Sequence, residues 1–360
     1  MAKAWVLHDV GDIRYEDAEI PKPGTGEVLL RVRAAGICGS DIPRIYDTGA
    51  HRMPLIPGHE FSAVVESVGE SVSGMWTGKR VAVYPKIPCG KCGACLKGIS
   101  DMCESYDYVG SRRDGAFAEY VIAPAANLLE LPDNVSFETA AMLEPMAVAA
   151  NAVRTGLGSA GQEEVGKMSV SVCGLGTIGM MVIMLLREMG CERIYAIGNK
   201  DTQKSRVMSL GISEDCFCNS RSENVPAWVK DKSGGGVDVY FECVGRNESG
   251  IYGLQCVSPG GKIILVGNPH SDMAFSRNEY WEILRKQLTL SGIWNSVFRQ
   301  SVPAGGAADD WNYVLEKMGA GRITPERLIS HRLKIKELEK GFRIMRDKTE
   351  DYCKVMMVQP

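Results

Sequence analysis

The chain has 360 residues, 45% hydrophobic and 24% charged, with a formal net charge of −3. That composition describes a globular protein long enough for two domains. It lacks the basic footprint of a nucleic-acid binder, and its longest apolar run, Met180 to Leu186, is far too short to span a bilayer.

The opening run MAKAWVLHDVGDIRYED carries acids early and has no apolar core segment. No export signal is therefore expected, and the protein is read as cytoplasmic. In reducing surroundings Cys173, Cys216, Cys218, Cys243 and Cys256 are expected to act as small buried apolar side chains.

Residues 1–152 read as β-rich. EVLLRVRAAGIC and EFSAVVESVGESV are short alternating or apolar runs bounded by Gly and Pro, which suits strands and turns. Cys89, Cys92, Cys95 and Cys103 then follow as C-x2-C-x2-C-x7-C. Turns at this spacing let four thiolates curl around one point, and Zn2+ prefers a closed tetrahedron of such ligands. A bacterial iron–sulfur run would close with C-x3-C-P, but here the last gap is seven and Glu104 follows. A disulfide pair would suit a secreted chain.

Residues 153–296 change character. MSVSVC reads as a strand, GLGTIG as a glycine turn and MMVIMLLREMG as a helix. IYAI, VDVYFECVG and KIILVG follow as further strands. Strands alternating with helical stretches imply a parallel sheet, so the fold class is α/β with a β-rich partner domain. From 297 to 360 the pattern loosens and is expected to rejoin the first domain.

Gly174, Gly176 and Gly179 form G-x-G-x-x-G between a strand and a helix opened by Thr177 and Ile178. In that context the turn fits a dinucleotide pyrophosphate at a helix N-terminus; the alternative is a plain strand–helix turn. An NAD enzyme places a carboxylate at the end of the second strand. Here that place holds Gly198, then Asn199 and Lys200. The missing acid and the nearby cation favour NADP(H), while Asp201 or a water keeps NAD(H) open.

Cys38 in GICGSD, His59 and Glu60 in PGHEF, and Glu144 in MLEPMAV form a donor set plausible for zinc with an open position. Singly, each also reads as an ordinary buried Cys, a hydrogen-bonded His or a surface Glu.

Taken in order, GICGSD, GHE, the four-cysteine run, LEP and GLGTIG resemble the medium-chain, zinc-dependent alcohol dehydrogenase superfamily, in its polyol dehydrogenase branch. The resemblance spans the chain and implies a GroES-like catalytic domain, a Rossmann coenzyme domain and two Zn2+ per chain. It implies a catalytic zinc held by Cys38, His59 and Glu144, with Glu60 beside it, and a structural zinc held by Cys89, Cys92, Cys95 and Cys103. The reaction implied is reversible oxidation of a secondary alcohol to a ketone, with hydride passing to NAD(P).

Ser40 is placed to pass the proton outward, with Glu60 as the other outlet. Pro43 stands where some members carry a relay histidine, and His51 lies nearby. CGSDIPRIYDTGAH and YDYVGSRRDGAFAEY resemble members that act on polyol phosphates, which makes Arg44, Arg112 and Arg113 candidates for a substrate phosphate. The alternative for the arginines is ion pairing with Asp107 or Asp114. Other readings are an unphosphorylated polyol, butanediol or threonine substrate, an NADPH-dependent pentulose or hexulose phosphate reductase, or a nucleotide binder without catalysis. Relatives are homodimers or homotetramers, with QLTLSGIW (287–294) as the candidate edge; neither nucleic acid nor membrane is an expected partner.

Overall fold

Val28, Leu30 and Val32 of the strand Glu27–Gly36 share one buried side, as period-two patterning requires. In the computed structural model the described residues are 1–269, 271–299 and 309–360. Of the C-terminal segment expected over 297–360, residues 300–308 lie outside the described residues. The chain forms two units, Met1–Pro145 with Val297–Pro360, and Met146–Ser296. The domain edge expected at 152 falls inside the helix Leu143–Leu157, whose first turn holds the division. Among the described residues no helix is long and apolar enough to cross a membrane.

The first unit is built on a seven-stranded sheet. Its order is Ile329–Leu333, Lys354–Val358, Glu27–Gly36, Glu60–Val68, Arg80–Val83 and Leu128–Glu130, with Tyr120–Pro124 also paired to Glu27–Gly36. The C-terminal strand thus lies beside an N-terminal one, and Gly36 stands opposite Glu60 on one side and Met356 on the other. The core between sheet and helices gathers Leu30, Phe61, Val81, Phe117 and Phe342. Phe342, from the helix Leu338–Asp347, has its ring 5.8 Å from Trp5 and 5.5 Å from Phe117. Burying such a ring contributes about 1.5–3 kcal/mol. A short antiparallel pair, Lys86–Ile87 with Asp107–Tyr108, brackets the four-cysteine segment.

The second unit is a six-stranded parallel sheet in the order Phe217–Asn219, Arg193–Gly198, Ser169–Cys173, Val237–Glu242, Val257–Leu265, Thr289–Gly292. Numbered along the chain this is 3-2-1-4-5-6, the doubly wound dinucleotide-binding order. The strand Ser169–Cys173 is buried throughout, which explains its unbroken apolar reading. The helix Thr177–Glu188 buries eight consecutive residues from Gly179 to Leu186. The expected α/β class with a Rossmann-type sheet is therefore what the chain adopts. Within the candidate 287–294, Thr289–Gly292 is an edge strand of this sheet.

Candidate active site

The lobe holds the four expected thiols together. The Sγ atoms of Cys89, Cys92, Cys95 and Cys103 lie within 4.8 Å of one another. Cys92 and Cys103 sulfurs are 3.8 Å apart. A tetrahedron with bonds of about 2.3 Å to sulfur has edges of about 3.8 Å, so the donor set fits zinc. Backbone N–H groups of Cys92 and Cys89 point at the Cys89 and Cys103 sulfurs, at 3.4 and 3.2 Å. The N–H groups of Cys95 and Glu104 pull the Cys92 thiol down to about 6, whereas desolvation and the adjoining thiols push Cys95 up to about 12. All twelve cysteines are free thiols, so the disulfide alternative is not realised.

A second cluster forms where the strand Glu27–Gly36 ends and the strand Glu60–Val68 begins. Ligand atoms of Cys38, His59 and Glu60 lie within 4.8 Å of one another. Asp41, fully buried in the first turn of the helix Asp41–Tyr46, stands behind them. Its carboxylate accepts the Cys38 N–H at 3.0 Å and the Arg44 guanidinium at 2.5 Å. It also lies 3.4 Å from His59 Nδ1, an ion-pair distance without hydrogen-bond geometry. Burial opposes a charge on Asp41, but His59, Arg44 and the Cys38 N–H outweigh it and hold the carboxyl below its usual range. A carboxylate behind one imidazole nitrogen leaves the other available to a cation, which is how metal-ligating histidines are oriented. A half-buried thiol beside a buried imidazole and a buried carboxylate makes a donor set that fits zinc.

Glu144 is buried in the first turn of Leu143–Leu157, and its Oε1 accepts the Tyr108 hydroxyl at 3.3 Å. The Tyr108 ring meets His59 edge-on at 5.8 Å. Burial, reinforced by the charge of Glu60 and opposed by His59 and Lys354, pushes the Glu144 carboxyl up to about 7. Such displacement is typical of functional sites. Glu60 is ion-paired with Lys354 from the C-terminal strand. Asp41, Tyr108 and Lys354 were not expected from the sequence. Only Asp41 left a local signal, an acid three residues after Cys38 in CGSD.

Ser40 sits at the start of the helix Asp41–Tyr46, and its hydroxyl does not cap it. His51 is largely exposed, and partial desolvation, with the charges of Arg112 and Arg44, pushes it below its ordinary value. The three arginines differ. Arg44 is committed to Asp41. Arg113 pairs with Glu27 at 2.7 Å and approaches Asp107 at 3.8 Å. Each of these two guanidinium groups therefore stands beside an acid. Arg112 instead stacks on Tyr106 at 4.5 Å, and its buried Nε has no hydrogen-bond partner. Lys86 covers the same ring at 4.4 Å.

In the second unit the glycines divide their work. Gly174 has φ +95°, and a Cβ there would meet Val244 and the Cys243 backbone. A Cβ on Gly179 would overlap the Gly174 carbonyl. Gly176, preceding Thr177 and Ile178 at the helix start, has open space where a Cβ would stand. These are the turn, packing and close-approach roles that a pyrophosphate-binding turn requires, so the residues fit a dinucleotide. The neighbouring turn is pinned by Glu242, which accepts the N–H groups of Val244 and Gly245 at 2.8 and 3.0 Å and the Ser249 hydroxyl at 2.6 Å. At the end of the next strand the Asn199 N–H donates to Gln203 Oε1 at 2.9 Å, beside Gly198. Lys200 is exposed and precedes the helix Asp201–Ser209.

The sequence profile described as the alcohol dehydrogenase GroES-like domain matches residues 24–133, and that of the zinc-binding dehydrogenases matches 177–308. The chain belongs to the zinc-dependent medium-chain alcohol dehydrogenase family and is an alcohol or polyol dehydrogenase. Among particular relatives it is 30% identical to galactitol 1-phosphate 5-dehydrogenase of Escherichia coli K12, over 91% of this chain and 92% of that one. It is 31% identical to L-threonine 3-dehydrogenase of Pyrococcus furiosus, over 92% and 91%. A Sinorhizobium meliloti 1021 protein solved with NADP bound superposes with a TM-score of 0.87 at 26% identity, over 100% of this chain and 99% of that one.

Proposed function

We propose that the protein interconverts a secondary alcohol of a polyol phosphate and the matching ketone, with NADP(H) as the preferred hydride carrier. The observation that carries this reading is the meeting of the half-buried Cys38 with the buried His59 and Glu60, backed by Asp41. Cys38, His59 and Glu144 would hold the catalytic zinc, with Glu60 beside it; Cys89, Cys92, Cys95 and Cys103 would hold a structural one. When bound, zinc supplies Lewis acidity of the kind that lowers the pKa of water from about 15.7 to about 7, and the nicotinamide supplies the hydride acceptor.

The remaining work falls to the chain's own residues. Asp41 fixes the imidazole of His59. Ser40, whose hydroxyl is not spent on capping its helix, passes the alcohol proton toward water. Arg112 binds the phosphate, because its guanidinium is stacked on Tyr106 rather than neutralised by an acid, unlike Arg44 and Arg113. The name of the Escherichia coli relative supports a phosphorylated substrate.

Gly174, Gly176, Thr177, Ile178 and Gly179 hold the pyrophosphate. Asn199 and Lys200 face the ribose end, where no carboxylate stands to repel a 2′-phosphate, and the NADP-bound neighbour supports that choice. The edge strand Thr289–Gly292, followed by Trp294 at 74% exposure, pairs with a second copy to form a homodimer, or a homotetramer through a further contact. A cytoplasmic location belongs to the same reading.

A panel of phosphorylated and plain polyols, each with both nicotinamides, tests the proposal. The highest kcat/KM is expected for a polyol phosphate with the phosphorylated nicotinamide. A plain polyol turned over best with NAD would refute it.

A further inference from the structure

The short strand Lys86–Ile87, which leads into the four-cysteine segment, buries its lysine: Lys86 is 1% exposed. Its ammonium donates to the Asp101 carbonyl and lies 4.4 Å from the centre of the Tyr106 ring. Both partners belong to the stretch that closes the lobe. Asp101 sits in the turn Ser100–Met102 just before Cys103, and Tyr106 stands three residues after that cysteine. A carbonyl and a ring orient a cation without neutralising it.

A buried cation is costly unless an opposite charge compensates it. Burial holds the Lys86 ammonium below its ordinary value, against the attraction of Asp101 and then of the Cys103, Cys95 and Cys92 sulfurs. Four thiolates outweigh one dication, so a zinc-loaded lobe is an anion. The N–H groups of Cys92 and Cys89 give its sulfurs dipoles, not a full charge. Lys91 and Lys97 are exposed, where water and salt screen them, and Arg112 is half-buried. Of the cations around the lobe, Lys86 is the one the fold takes out of water.

We propose that Lys86 is the counter-cation of the loaded lobe: its ammonium offsets the excess charge of the zinc–thiolate centre and so helps to retain the metal. The inference rests on the structural-zinc reading above. It gives a role to a buried lysine that no step of the alcohol chemistry uses.

The test uses the full-length Cys38→Ser chain, so that the lobe alone holds zinc, with folding checked by circular dichroism. Lys86→Met is expected to weaken zinc retention against a chelator by about 10–100-fold, as for other partners of metal ligands. Lys86→Gln, which keeps a donor for the Asp101 carbonyl but no charge, should weaken it comparably. With Co2+ in the lobe, the sulfur-to-metal charge-transfer band should move to longer wavelength in both variants, because the thiolate electrons lose a stabilising charge. The melting temperature should fall further in the zinc-loaded chain than in the zinc-free one. A lysine that only packed against Tyr106 would lower both melting temperatures equally and leave the band in place.

A folded Lys86→Met chain with unchanged zinc retention and an unmoved band would overturn the proposal. Should the methionine variant not fold, Lys86→Gln carries the same comparison, and parental zinc retention there overturns it too. A Cys38→Ser/Cys92→Ser chain that binds as much zinc as Cys38→Ser would overturn the structural-zinc reading, and this inference with it.

Discussion

Asp41 Oδ1 lies 3.4 Å from His59 Nδ1 and at the same time accepts the guanidinium of Arg44 at 2.5 Å. One fully buried acid thus orients the imidazole and absorbs the charge of an arginine that the sequence offered as a phosphate ligand. Outer partners of metal-ligating histidines are worth 10–100-fold in metal affinity or activity. Asp41→Asn is therefore expected to lower kcat/KM and zinc affinity by about 10–100-fold. Chelator competition followed by steady-state kinetics measures both.

The lobe makes a separate prediction. Structural zinc contributes its binding free energy to folding. Cys92→Ser, or chelator treatment that strips the lobe, should lower stability; a loss of about 4 kcal/mol would shift the melting temperature by roughly 5 °C in a chain this size. Calorimetry with and without added zinc reads the effect, and an unchanged melting temperature would remove the structural role.

Arginine roles separate by their partners. Arg112→Ala should raise KM for a polyol phosphate by roughly 10–100-fold, the worth of a charged hydrogen-bonded contact, and barely alter KM for the plain polyol. Arg113→Ala leaves Glu27 without its partner 86 residues away, so its effect belongs in the melting temperature. Equal KM effects on both substrates in Arg112→Ala would end the phosphate assignment.

At the nucleotide end, Lys200→Ala should weaken NADPH binding by about tenfold and leave NADH binding within twofold, since only the former carries a 2′-phosphate for the ammonium to contact. Fluorescence titration of both nucleotides gives the comparison. Equal losses would make Lys200 a general contributor to the fold or the turn.

What could be read from the sequence was what lies close along the chain. Cys89 to Cys103 and Gly174 to Gly179 are short patterns whose geometry is local, and the alternation of 27–36 reveals its sheet directly. The partners that tune the site are remote. Lys354 reaches Glu60 across 294 residues because the C-terminal strand joins the sheet beside Glu27–Gly36. Arg113 finds Glu27 for the same kind of reason. Charged side chains are ordinarily exposed, so a run such as SRRD suggests free cations until tertiary contacts neutralise them. Tyr108 read as one aromatic among several; only the meeting of the short strand Asp107–Tyr108 with the helix Leu143–Leu157 puts its hydroxyl on Glu144.

The most direct test of the account is zinc content and turnover of Cys38→Ser beside the wild-type enzyme, with nucleotide binding followed in parallel. The account requires two zincs falling to one, turnover lost and nucleotide affinity preserved. A Cys38→Ser chain that keeps two zincs and normal turnover would contradict it.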